Sequence, residues 1–447
     1  MYNRYDVLRY FEGSKDFYSN VVYPNIEKYR KGNMKITIVD SEGRKIDNCS
    51  IKVKQISHEF KFGANLFMLD EMEAEEKNSL YKSSFKDIFN MATLPFYWCS
   101  IEPEKGKTRY NKDAEKYYRR PSIDLCMEYC EKNGIEPREH ALAYENHFPE
   151  WLYNASVDEI KSAYEHRCSE ISKMYASRIP TIEVTNEMLW WEGKTAFYNE
   201  PDYIEWCFKT AERYFPNNKL SINEATEESF CDVPRSTARY YAYIEANMLK
   251  GARIDAIGTQ FHMFYERNGE LDKSRSLYNP KNLYDRFDLY SNLTNEIQIT
   301  EITIPAYSNN KDDEEIQAKI IEYLYTLWFS HPKIKQIIYW NLVDGYAYVP
   351  NPTPEKIRMS QGDMTLGENR FYGGLLRFDL SRKPAYDTLD YLINKKWKTE
   401  LDFDNTGSVE FRGFYGDYEI QIKTDNGIVT KKFTLSSECE NDITLVI

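Results

Sequence analysis

The chain predicts a (β/α)8 TIM barrel carrying a small β-sandwich, and three observations in the sequence support that fold. Eight short β-branched or apolar runs recur between residues 61 and 340. Amphipathic stretches long enough for helices lie between them, the alternation that a parallel barrel requires. Both flanks of this region read instead as period-2 strands joined by tight turns. A doubly wound open sheet is the structural alternative, but no Gly-rich phosphate turn follows the first strand.

In chain order, residues 5–30 read as one or two helices packed on the outside. KITIVD, a DSEGRK turn and CSIKVKQ follow as two strands. The barrel strands are then KFGANLF (61–67), MATLPFYW (91–98), PREHALAY (137–144), TIEVTN (181–186), KLSIN (219–223), IDAIGTQFH (254–262), EIQITEITI (296–304) and KIKQIIYW (333–340). Helices are expected over 122–133, 157–175, 201–215, 236–250 and 314–330. After the barrel, SVEFRG, DYEIQIK, IVTKKFTL and DITLVI alternate apolar and polar residues, separated by Gly, Asp and Asn. A lone hairpin is marginal, so strands from both ends are expected to pair into one sandwich. The resulting division is 1–33 as a helical segment, 34–58 with 399–447 as an accessory β-sandwich, and 59–398 as the catalytic barrel.

Composition narrows the function classes. The 447 residues are 42% hydrophobic and 29% charged, which suits a large folded core. With 58 Lys and Arg against 71 Asp and Glu the net charge is −13, so a nucleic-acid partner is not expected. The eight cysteines form no paired CxxC and no cluster with His, and neither a zinc site nor a disulfide framework is expected. No metal and no cofactor is implied, and no stretch of about 20 apolar residues suggests a membrane span. MYNRYDVLRYFEGSKD lacks an apolar leader core, so the sequence as it stands predicts a cytoplasmic protein, or a secreted one if a signal has been removed. Nothing in the sequence indicates an oligomeric state.

Polar residues at strand ends carry the functional reading. The fourth strand runs into Thr185-Asn186-Glu187 and the seventh contains Thr300-Glu301-Ile302, so two carboxyl groups face the barrel mouth from opposite sides. Glycoside hydrolysis uses such a pair: one carboxylic acid protonates the leaving oxygen and one carboxylate attacks the anomeric carbon or guides water to it. His140 and Tyr144 on the third strand, Gln260 and His262 on the sixth, and Trp340 with Asp344 on the eighth fall in the same region. A Trp at the mouth can form an apolar floor under a sugar ring, and Asn and Gln offer both donors and acceptors to hydroxyls.

The stretches FNMATLPFYWCSIEPEKG, HALAYENHFPEWL, IEVTNEML, AIGTQFHM, ITEITI, YWNLVDG and GGLLRFDLSRKPAYDTL come in the order found in family 10 glycoside hydrolases, the xylanase family, which this chain resembles across residues 61–397. The resemblance implies Glu187 as general acid/base, Glu301 as nucleophile and retention of configuration through a covalent glycosyl-enzyme. It further implies that Asn186 binds the sugar 2-hydroxyl, that His262 bonds the nucleophile, that His140 and Gln260 line the −1 subsite and that Trp340 is its floor. The chain departs from the family pattern around this centre. LPFYW replaces the usual Glu-Asn and Lys contacts, with Tyr97 near the Lys position. Tyr144, Glu145 and His147 replace Trp, His and Gln. Thr303 stands where an acidic residue usually orients the histidine, and Tyr348 stands for a second Trp. Tyr97, Tyr144, Glu145, His147, Tyr346 and Tyr348 are therefore the expected specificity residues, and the substrate is expected to be a β-linked xylo-oligosaccharide, polysaccharide or another β-glycan. A carbohydrate-binding protein on an inactive xylanase-like scaffold is the alternative.

Overall fold

The computed structural model describes residues 3–189, 193–230, 238–350 and 358–447. Two strands come first, β1 (Lys31–Val39) and β2 (Cys49–Gln55). Eight parallel strands follow: β3 (Lys61–Asn65), β4 (Met91–Pro95), β5 (Glu136–His140), β6 (Thr181–Asn186), β7 (Lys219–Glu224), β8 (Ala256–His262), β9 (Ile297–Thr303) and β10 (Ile334–Tyr339). They close in the order β10-β3-β4-β5-β6-β7-β8-β9. A closed parallel barrel places every strand's C-terminal end on one face, where loops can gather side chains from all eight. Helices on the outside include Ile123–Asn133, Val157–Tyr175, Tyr203–Tyr214, Arg239–Leu249 and Lys311–Ser330. The helix expected from residue 236 begins on residues outside those described.

Local chemistry sets the helix boundaries. Ser156 and Glu159 form a reciprocal capping box at the start of Val157–Tyr175, satisfying donors that the first turn leaves free. Ile123–Asn133 stops at Gly134, whose φ of +65° lies in the left-handed region that glycine enters without a Cβ penalty. The chain then turns straight into β5. Where strands shift register, they re-aim side chains at the mouth: β8 and β9 slip between Thr259 and Gln260, which sets Gln260 opposite Glu301 and His262 opposite Thr303. A similar slip in β6 sets Asn186 opposite Asn223 of β7.

Both chain ends build the remaining sheets. β11 (Glu400–Thr406), β12 (Ser408–Phe414), β13 (Gly416–Thr424), β14 (Gly427–Leu435) and β15 (Asp442–Val446) pair with β1 and β2 in the orders β12-β1-β15 and β11-β2-β13-β14. Ile36, Ile38, Ile51, Val53, Ile420 and Ile422 fill the space between these sheets. β11 was not expected from sequence. ELDFDNT carries only two large apolar residues, enough for an edge strand that is half exposed along its length. An aromatic stack of Phe62, Phe329 and Trp397, with Phe329 and Trp397 centroids 4.3 Å apart, meets Phe414 of β12 at 6.1 Å from Phe329 and so joins the barrel to the sandwich near the start of β3, the face opposite the strand C-termini. Residues 4–30 form a run of short helical segments against the helix Lys311–Ser330.

Candidate active site

A cleft of about 460 Å³ opens at the C-terminal end of the barrel, and Glu187 and Glu301 both line it. Glu301 projects from β9 and is almost fully buried. Its Oε1 accepts hydrogen bonds from Asn223 Nδ2 at 2.9 Å and Gln260 Nε2 at 3.1 Å, and its Oε2 lies 3.2 Å from His262 Nε2. Glu187 sits one residue past β6 with φ at +52°, held there by its N–H bond to the Asn223 carbonyl. A non-glycine residue in this region is strained, and such strain at a strand end turns the side chain away from the strand's own path. Its Oε1 accepts from Gln260 Nε2 at 2.9 Å and its Oε2 from the Tyr144 hydroxyl at 2.6 Å.

One nitrogen, Gln260 Nε2, therefore touches both carboxyl groups. The two oxygens it bonds can be no further apart than the two bonds laid end to end, about 6 Å, a bound that accommodates the spacing of about 5–5.5 Å between carboxyl groups in retaining glycosidases. Asn186 accepts from Asn223 Nδ2 at 2.9 Å and from Gln260 Nε2 at 3.3 Å, which ties it to the same network.

A second layer lies beneath. His140 Nδ1 is 2.7 Å from Glu183 Oε1, and Arg138 bonds the other oxygen of Glu183. The Nε2 of His140 meets the Tyr97 hydroxyl at 3.0 Å. His140, Glu183 and Glu301 converge from three strands, with one ligand-type atom of each within 4.8 Å of the others. No sequence spacing reveals this grouping, because strand order alone creates it. The Arg138 guanidinium and the His140 ring supply the positive charge that balances Glu183, so the cluster functions as an ion-pair network.

Charge states follow from this layout. Burial pushes the Glu301 carboxyl up to about 8, with His140 opposing that shift and the negative charges of Glu183 and Glu187 adding to it. Burial would also raise Glu183, but Arg138 and His140 reverse it and hold that carboxyl below its ordinary range. His140 shows the converse: burial disfavours its charge, and Glu183 outweighs burial to raise it. His262 is lowered by burial, while Tyr144 is driven well up by burial and then by Glu187.

Trp340 lies almost fully buried at the end of β10, its ring 5.1 Å from Phe67, 5.5 Å from His140 and 6.0 Å from His262. His147 lines the cleft with its ring 4.2 Å from Tyr97, and Tyr348 lines it from the loop after β10. Two expected specificity residues face elsewhere. The buried Glu145 carboxylate accepts the backbone N–H groups of Lys194 at 2.6 Å and Thr195 at 2.5 Å, so it anchors a loop. Tyr346 stacks on Phe378 and donates to Glu73 at 2.6 Å. Asp344 is spent on Lys383 at 2.5 Å and the Gly374 N–H at 2.7 Å.

Sequence reasoning passed over Asn223, although it ends a barrel strand as Asn186 does and the same logic applied to it. It also passed over Arg119, Arg120, Phe67 and Glu368, which come from long loops and line the cleft. Thr303 retains the contact that its acidic counterpart would make: its Oγ1 is 3.0 Å from His262 Nδ1.

The family model for glycosyl hydrolase family 10 matches residues 54–369. The chain belongs to glycosyl hydrolase family 10. Among curated family relatives, Arabidopsis thaliana endo-1,4-beta-xylanase 1 is 23% identical over 94% of this chain, and the anti-sigma-I factor RsgI6 of Acetivibrio thermocellus is 25% identical over 89%. The chain spans less than half the length of these two, 39% and 45%. The crystal structure of xylanase 10B from Thermotoga maritima shares the fold, with a TM-score of 0.59 at 22% identity over 76% of this chain and 96% of that one. The family 10 barrel accounts for the parallel closure, and the match to the plant enzyme extends well beyond it into the terminal sheets. Among the described residues of this family 10 chain, no helix is long and apolar enough to cross a membrane.

Proposed function

We propose that this chain is a retaining β-glycoside hydrolase that cleaves β-linked xylo-oligosaccharide or polysaccharide by double displacement, with Glu301 as nucleophile and Glu187 as acid/base. The observation that carries this reading is the shared Gln260 nitrogen, which brackets both carboxyl groups at a separation that suits direct attack. In the first step Glu301 attacks the anomeric carbon while Glu187 protonates the departing oxygen. In the second step Glu187, now a carboxylate, takes a proton from water as that water attacks the glycosyl ester, and Glu301 leaves. Asn223, Gln260 and His262 are the donors that stabilise Glu301 when it departs as an anion. The Tyr144 hydroxyl is placed to keep the Glu187 side chain aimed at the leaving oxygen. Asn186, His140 and Gln260 would hold sugar hydroxyls over Trp340, with Tyr97, His147 and Tyr348 shaping which sugar is accepted.

The names of several family 10 relatives favour xylan. The altered contacts at Tyr97, Tyr144 and His147 favour a different decoration or a different β-glycan. A site built to bond particular hydroxyls discriminates strongly against sugars that lack them. The test is a panel of aryl β-glycosides and oligosaccharides with the wild type, Glu187→Gln and Glu301→Gln. At least one substrate is cleaved with initial release of the β-anomer by NMR, and Glu187→Gln slows cleavage by about 10²–10⁴-fold, most with poor leaving groups. Initial release of the α-anomer would remove the nucleophile role from Glu301. Binding without cleavage across the panel would make the chain a carbohydrate-binding protein instead.

A further inference from the structure

Two cations line the catalytic cleft beside its acidic pair, and the hydrolytic chemistry uses neither. Arg119 is almost fully buried. Its Nη2 donates to Asn341 Oδ1 at 3.0 Å and its Nη1 bonds the Tyr346 carbonyl, while its Nε has no partner among the described residues. Arg120 lies with its guanidinium 4.2 Å over the Tyr97 ring and 5.2 Å from the Phe67 ring, and Nη1 donates to the Arg119 carbonyl at 2.8 Å. Among the described residues neither arginine has a carboxylate within ion-pair distance. Asn341 links Arg119 to Glu368: its oxygen takes the Arg119 bond while its Nδ2 donates to Glu368 at 2.9 Å.

Adjacent guanidinium groups in a partly desolvated cleft repel one another and lose hydration, a cost that an anion would offset. The Tyr97 and Phe67 rings lie against the Arg120 guanidinium, whose Nη1 is bonded, and among the described residues its Nε and Nη2 make no hydrogen bond. A fork in a fixed plane matches a carboxylate in two-point geometry. A dianion would meet Glu187 and Glu301 across the same cleft, in a chain of net charge −13, which favours a single negative charge over a phosphate monoester. Phe67 packs against both Arg120 and Trp340, so the arginine side of the cleft adjoins the Trp340 floor.

We propose that Arg119 and Arg120 form a subsite for a glycan carboxylate, so that the preferred substrate carries a uronic acid next to the sugar seated on Trp340. This rests on the reading of the cleft as a β-glycan site. It assigns a specificity role to two arginines, one of which packs on the Tyr97 ring.

Calorimetric titration tests it in the Glu301→Gln background, which prevents turnover, using xylotriose and its glucuronic-acid-substituted counterpart. The acidic oligosaccharide binds at least about tenfold more tightly, equivalent to about 1.4 kcal/mol. Adding Arg120→Gln removes that preference, and Arg120→Lys, which keeps the charge without the fork, restores part of it. Unchanged thermal melting of the Arg120 variants confirms that the fold is intact. Equal affinity for the two sugars, binding of neither, or a preference that survives Arg120→Gln overturns the subsite. Wild-type cleavage of neutral aryl β-xylosides is measured separately. Cleavage there with equal affinities here would leave the hydrolase reading standing and the subsite refuted, whereas an acidic preference without any cleavage would do the reverse.

Discussion

In the proposed mechanism Glu301 must be ionised to attack, yet burial raises its proton affinity from 4.5 to about 8. The ionised fraction of the free enzyme is lost as pH falls through that value, so kcat/KM is expected to drop as pH is lowered from about 8, well above the ordinary carboxylate range. A pH profile on a neutral aryl glycoside measures this, and an acid limb below pH 5 would contradict it. Stability moves the opposite way. Because Glu301 binds its proton more tightly folded than unfolded, the wild type loses stability as pH rises between the two values, and Glu301→Gln does not lose that contribution. Denaturant titrations of both proteins at pH 5 and pH 8.5 give the comparison. Thr303 supports the same centre through His262 Nδ1, and Thr303→Val, nearly isosteric, removes only the hydroxyl. We expect a loss in kcat of about tenfold with KM little changed, as for an outer-shell partner that orients its neighbour. At this scale the meeting of Glu187 and Glu301 in one cleft was legible because both fall near strand ends. Glu145 was misread because its position in the loop carries no information about which way its side chain turns.

Eight barrel strands were legible as runs of β-branched residues; the structure ends β3, β4 and β5 two to four residues earlier at the mouth, starts β8 two residues later, and trims β9 and β10 by one residue at each end. The register slips in β6 and β8 were not legible, since they depend on pairing between strands far apart in sequence. Gly258 in β8 shows what such pairing demands. A Cβ there would lie 2.6 Å from Asn223 Oδ1, 2.9 Å from the Ile222 carbonyl and 3.0 Å from Thr300 Cγ2. Asn223 is held by Thr300 Oγ1 at 2.7 Å and itself holds Glu301, so a methyl group at 258 pushes on the support of that carboxyl group. Gly258→Ala should cost about 1–3 kcal/mol of stability, the usual range for overpacking a dense interior. It should also lower kcat/KM, whereas overpacking remote from the site would lower stability alone. Urea melts together with steady-state kinetics separate these outcomes.

The whole molecule is closed by its ends. β1 and β2 find all their ladder partners in residues after 399, so a truncation at that point leaves two unpaired strands with exposed edges and should aggregate. The N-terminus is tied down differently. Arg4 is buried and forms a two-point pair with Glu270, at 2.8 and 3.1 Å, and a further ion pair with Asp313 at 3.0 Å. It also donates to the Pro305 and Ala306 carbonyls at 2.7 and 2.9 Å, in the segment that leaves β9 just after Glu301. A residue at the start of the chain thus braces the strand that carries Glu301. Arg4→Ala leaves the fully buried Glu270 carboxylate without its cation, while Asp313 keeps Arg267 at 2.7 Å. Breaking a buried pair by removing one partner costs about 3–5 kcal/mol, because the remaining charge stays desolvated. Arg4→Met with Glu270→Gln removes both charges and should recover much of that loss. A double-mutant cycle by guanidinium unfolding measures the coupling. If Arg4→Ala alone proves nearly neutral, the N-terminal segment rests on its apolar contacts and Arg4 does not brace β9.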